Sequence, residues 1–190
     1  LSARELREAA PGMADADGVA AAYEPEGGFA DPSLTVNSFG EAAKRHGAVI
    51  LQDTEVTGVK MEGGRVKGVI TNRGEISAGA VVNTAGPWGA RVARMIGVEL
   101  PVQPCRVQVS FFAPPPDAKP APFVFADFPN VTYFRPETGG MTLVGSVDPS
   151  EANAHADPDR YNERVDFDFL ADMGMKLARR FPCMERSESR

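Results

Sequence analysis

Apolar positions recur along the chain in two periods, close to 3.6 and close to 2, and each change of period marks a change of element. Leu1-Ser-Ala-Arg-Glu-Leu-Arg7 reads as an amphipathic helix. Asp31-Pro32-Ser33 is a strong helix start, a capping carboxylate with proline at the first helical position. Leu34, Phe39, Ala42 and Ala43 then form an apolar stripe that ends at His46-Gly47. Ala48-Val-Ile-Leu51 follows as a short strand. Residues 54–60, 65–71 and 75–77, joined by Glu62-Gly63-Gly64 and Asn72-Arg73-Gly74, predict a three-stranded meander. Ala80-Val-Val-Asn-Thr84 is apolar and short enough for a buried parallel strand, and it feeds Ala85-Gly86-Pro87-Trp88 and a helix carrying Val92, Ala93 and Ile96. From Leu100 the grammar changes. Pro101, Pro104 and Pro114 to Pro116 punctuate alternating segments at 106–112, 131–135 and 141–145, which predict an antiparallel sheet. Val165, Phe169, Met173, Leu177 and Phe181 recur every fourth residue, predicting a covering helix over 158–180 that Pro182 ends.

Composition narrows the function classes. The 190 residues are 43% hydrophobic and 24% charged, as in an ordinary globular protein, and the formal net charge of -6 argues against a nucleic-acid partner. No apolar run approaches the roughly 20 residues of a spanning helix, so no membrane partner is expected, and the absence of a leader pattern predicts a cytoplasmic protein. Cys105 and Cys183 stand far apart outside any C-x-x-C, which predicts two buried or half-buried free thiols. His46 and His155 have no ligand spacing around them, and no metal is expected. No Ser/His/Asp set and no phosphate-binding G-x-G-x-x-G can be assembled, so no catalytic residue is assigned.

Two places carry candidate chemistry. Thr84-Ala85-Gly86-Pro87-Trp88 is a strand end, a glycine turn and a helix start, a place to hold an anion, although the same residues are also good helix-start chemistry. Tyr133 and Arg135 alternate on one strand and so share a face, where a phenol and a guanidinium can receive a carboxylate; a solvated edge strand explains them equally well.

The order and spacing of several short motifs then point to a family. Tyr23-Glu-Pro-Glu-Gly-Gly28, Asp31-Pro32, Gly47-Ala48, Thr54-x-Val56, Gly64-Arg-Val-x-Gly-Val69, Val81-Val-Asn-Thr-Ala-Gly86-x-Trp88, Leu100-Pro101-x-x-Pro104-x-Arg106 and Tyr133-x-Arg135-Pro136 together resemble the FAD-dependent D-amino-acid oxidase superfamily, in its sarcosine oxidase, dimethylglycine dehydrogenase and glycine oxidase branch. The resemblance implies an α/β (α+β) fold: a partial Rossmann-like FAD-binding domain with a β-meander, and an antiparallel substrate domain with a covering helix. It implies cofactor contacts at Val56, whose backbone would lie against the adenine, and at Thr84, Ala85, Gly86 and Trp88 beside the phosphates and ribityl chain. It implies substrate contacts at Tyr133 and Arg135, on a sheet that covers the flavin ring.

The resemblance further implies that residues 1–30 hold a substrate-domain strand and the loop leading onward, 31–98 the centre of the FAD domain, and 99–190 the substrate domain. The family's N-terminal G-x-G-x-x-G and its C-terminal glycine-rich segment are missing, so the chain is expected to be an internal fragment, inactive alone, of an enzyme that oxidises an amine or amino acid to an imine by hydride transfer to flavin. Two alternatives stand beside this: a cofactor-less binding domain, and a related flavoenzyme acting on a hydroxy acid or glycerol phosphate.

Overall fold

The computed structural model describes residues 1–14, 20–119 and 122–190. In chain order its elements are α1 (Ala3–Ala9), α2 (Pro32–Arg45), β1 (Val56–Glu62), β2 (Arg65–Thr71), β3 (Gly74–Ser77) and α3 (Gly89–Arg94), then β4 (Val109–Ala113), β5 (Phe125–Asp127), β6 (Thr132–Glu137), β7 (Met141–Ser146), α4 (Phe167–Arg180) and β8 (Glu188–Ser189). The chain divides into two compact units, one of residues 1–29, 106–154 and 162–190, the other of residues 30–105 and 155–161. The mixed helix and antiparallel-sheet class expected from the sequence holds.

In the first unit, five antiparallel strands run in the order β5-β6-β7-β4-β8. Their side chains alternate between two faces. Phe112, Phe134 and Val144 on one face pack with Met173 and Leu177 of α4 and with Phe181 and Met184 beyond it, forming the core. The apolar residues of α4 therefore sit at the expected spacing, but the helix starts at Phe167 rather than at Pro158. The cause is a clamp. Arg106 donates to the carbonyls of Asn162 and Arg164 and to the Asp166 carboxylate, while Gln108 Oε1 accepts the Asp166 N–H at 2.8 Å. These bonds hold 162–166 in a non-helical path and keep 106–108 out of β4. The described part of residues 1–30 contains α1, closed by a Ser2/Glu5 capping box, and no strand. The edge strands β5 and β8 had no sequence signal, being three and two residues long.

In the second unit, Asp31 caps α2 by accepting the Leu34 N–H at 2.7 Å, with Pro32 inside the first turn. The meander forms as β1-β2-β3, all antiparallel. The strands expected at 48–51 and 80–84 do not form. A parallel strand needs ladder partners on its edges, and no described strand pairs with either run, so Val49 and Val82 stand 80% and 82% exposed. The expectation of hidden thiols also fails at one position: Cys183 is half-buried, whereas Cys105 is exposed. Among the described residues no helix is long and apolar enough to cross a membrane.

Candidate functional site

The 83–89 loop of the second unit is shaped by its own side chains. The Asn83 amide donates to the Gly89 carbonyl at 2.8 Å, and its carbonyl oxygen accepts the Ala85 N–H at 3.2 Å. Gly86 turns the chain at φ +51°, a conformation costly for any residue with a Cβ, and Pro87 then starts a short 3-10 turn into α3. The backbone N–H groups of Thr84 and Gly86 donate no hydrogen bond among the described residues. Trp88 is fixed from outside the loop, its indole N–H donating to Asp159 Oδ1 at 2.7 Å. Asp159 also pairs with Arg91, and Arg91 reaches Asp157 at 2.8 Å. The Arg91 guanidinium, helped by the Trp88 N–H, holds the Asp159 carboxyl below the usual carboxylate range. Asp159 in turn raises Arg91.

This loop is one wall of a cavity of about 820 Å³, opposite β1 and β2. All five residues expected to touch a cofactor, Val56, Thr84, Ala85, Gly86 and Trp88, line it. Val59, Val69, Val81, Val82 and Met95 complete apolar walls suited to the faces of a flat aromatic ring, and the volume falls inside the range of about 300–1,000 Å³ typical of small-molecule sites. The charge of Arg91 is already matched by Asp157 and Asp159, so an anionic group would be met by loop amides rather than by an unpaired cation. FAD, with a flat ring at either end and a diphosphate between, fits this donor set. No group of His, Cys, Asp and Glu side chains among the described residues is arranged to hold a metal.

The first unit places Tyr133 and Arg135 on the face of β6 opposite the core. Tyr133 lies across its cross-strand partner Gly145, where a Cβ would come within 2.5 Å of the ring. Burial raises the phenol's pKa, Glu151 adds to this and Arg135 opposes it, so the hydroxyl stays protonated at neutral pH. Arg135 is not a bare cation on an edge strand. Its guanidinium lies 4.4 Å over the Phe29 ring, donates to the Pro136 carbonyl at 3.1 Å, and pairs with Glu137 at 2.8 Å. The Thr138 N–H holds Glu137 below the usual carboxylate range, with Arg135 adding to the effect.

Sequence reading missed Asn83, Arg91, Asp159, Glu137 and Gly145. Asn83 was visible as a polar residue inside the Val81–Trp88 motif, and Glu137 as one flanking Tyr133-x-Arg135-Pro136. Asp159, 71 residues from the Trp88 it fixes, left no local signal.

A family model described as "FAD dependent oxidoreductase" matches residues 1–190, the whole chain. The chain belongs to that family. The chain is 36% identical over 107 residues to the mitochondrial sarcosine dehydrogenase of Homo sapiens, covering 54% of this chain and 12% of that one. It is 27% identical over 168 residues to sarcosine oxidase subunit beta of Rhodobacter capsulatus, covering 87% and 38%. Among solved structures, L-proline dehydrogenase from P. horikoshii superposes with a TM-score of 0.85 at 26% identity, over 100% of this chain and 50% of that one. The chain thus spans half or less of each relative it matches here. These relatives are named for small amines and amino acids.

Proposed function

We propose that this chain supplies cofactor and substrate contacts to an FAD-dependent oxidoreductase that converts a small amine or amino acid to an imine. The observation that carries the reading is the convergence of Val56, Thr84, Ala85, Gly86 and Trp88, drawn from β1 and the 81–88 loop, on one cavity of about 820 Å³ in a chain of this family. When bound, FAD supplies the two-electron oxidising power, accepting a hydride from the carbon beside the substrate nitrogen.

The chain's own groups bind and orient. Valine walls take ring faces, the Thr84 and Gly86 amides meet phosphate oxygens, and Asp159 holds Trp88 in place. On the first unit's sheet, the Arg135 fork receives the substrate carboxylate bidentately, and the protonated Tyr133 hydroxyl donates a further hydrogen bond. Tyr133 is a hydrogen-bond donor here and not a base, because its proton is held more tightly than usual. The proposal keeps the cytoplasm as the working compartment; fractionation tests it, the human relative being named as mitochondrial.

The test is made on the protein expressed at the full length of its reading frame. It is expected to purify yellow, and to bleach anaerobically on addition of N-methylglycine, glycine or L-proline. A colourless product that takes up no FAD on titration overturns the cofactor reading and leaves a binding domain. Bleaching by hydroxy acids or glycerol phosphate, but by no amine, overturns the substrate reading.

A further inference from the structure

Arg135 and Glu137 are two residues apart on the same face of β6, and their side chains are only 16% and 19% exposed. Both are held. Glu137 has one carboxylate oxygen on Arg135 at 2.8 Å and the other on the Thr138 N–H at 2.7 Å. Arg135 is fixed by the Phe29 ring and by the Pro136 carbonyl, which together with Glu137 use only part of its five-donor fork. A carboxylate ligand therefore meets an arginine with donors to spare but with its charge already matched by a fixed neighbour.

We infer that Glu137 is a specificity-determining residue that restricts this face to zwitterionic amino acids and excludes dicarboxylates. The inference rests on the reading of Arg135 as the carboxylate anchor. A zwitterion adds no net charge: its carboxylate takes the remaining Arg135 donors, and its ammonium group sits beside the Glu137 carboxylate. A dicarboxylate brings a second negative charge to within a few ångströms of Glu137, where two carboxylates repel and water screens them weakly. Glu151, whose charge is felt at the Tyr133 hydroxyl, adds to the repulsion.

The test uses the full-length protein and calorimetric binding of two probes, trimethylglycine as the zwitterion and iminodiacetate as the dicarboxylate. The wild type is expected to bind trimethylglycine and to bind iminodiacetate much more weakly. Glu137→Gln keeps the shape and removes the charge, its one amide oxygen still able to accept from the Thr138 N–H, and it is expected to move the ratio of the two affinities toward iminodiacetate by about tenfold. Arg135→Met is expected to weaken both probes. A Glu137→Gln variant that changes both affinities by the same factor overturns the inference and leaves the anchor standing, since a merely structural glutamate would act on both alike. Arg135→Met without effect, or a wild type that binds neither probe, overturns the anchor reading and the inference with it.

Discussion

Gly68→Ala is the substitution for which the structure gives the sharpest expectation. Gly68 lies in the middle of β2, opposite Lys60 on β1 and Ser77 on β3, at φ +148°. A Cβ built there lies 2.0 Å from the Ile76 carbonyl oxygen and 3.0 Å from the Ser77 Cα. Both are backbone atoms of the paired strand, so no rotamer change relieves the clash, and β3 must move off the ladder. The unfavourable φ costs about 1–3 kcal/mol and the overpacking about 1–3 more, giving about 2–6 in all. Gly64→Ala is the control: its φ is +74° but nothing lies within 4 Å of the added atom, so only the conformational cost of about 1–2 kcal/mol applies. Urea unfolding of the 190-residue chain followed by tryptophan emission reads this directly, because Trp88 is its sole tryptophan and belongs to the same unit as the meander. Gly68→Ala should lie well below Gly64→Ala in midpoint, and should also weaken FAD binding, since Val56, Val59 and Val69 of the meander line the cavity. Equal midpoints for the two variants would refute the steric argument.

Two further expectations concern the first unit. Burial alone would raise the Asp127 carboxyl, but Arg180 and then Asn130 outweigh it and hold it below the usual range. A carboxyl depressed in the fold stabilises it above the unfolded pKa of about 3.9, and this contribution is lost as pH falls through the folded value. Asp127→Asn, in a pair whose side chains are 6% and 4% exposed, should therefore cost about 3 kcal/mol at neutral pH, with the gap to wild type closing in acid; a gap unchanged at low pH in a series of urea titrations would count against the pairing. Leu177→Ala empties a fully buried position between the sheet and α4 and should cost about 2–5 kcal/mol by calorimetry. A loss under about 1 kcal/mol would mean that α4 does not close this core.

The elements legible in the sequence are those whose causes are local. The capped helix at Pro32–Arg45 is written in Asp31 and Pro32, and the meander in the glycine turns at Gly63-Gly64 and Gly74, where a positive φ is required. The start of α4 was misplaced because the fourfold apolar spacing continues back through Val165, while the residues that stop the helix, Arg106 and Gln108, lie nearly 60 positions away. The loop wall of the cavity was legible for the same local reason: Gly86, Pro87 and Trp88 carry their turn chemistry with them. Its electrostatics were not, because Asp157 and Asp159 come from a separate stretch of chain. Arg135 was legible as a cation on a strand face, but its neutralisation by Glu137 and its stacking on Phe29 needed the structure.

The two apolar runs that fail to become strands bear on the whole reading. Residues 48–51 and 80–84 have the composition of strands buried on both faces, and α2, whose stripe includes Leu34 and Phe39, has no buried residue at all. Apolar surface of this extent ordinarily belongs to an interface, because exposing it costs about 25 cal/mol for each Å² left in water. The same unit forms the cavity, with its loop closed by Asn83 and its tryptophan fixed by Asp159. Neither run has a ladder partner among the described residues. The solved proline dehydrogenase supplies a scale, since its matched half superposes on the entire chain while its other half has no counterpart here. The tests of function are therefore set on the full reading frame.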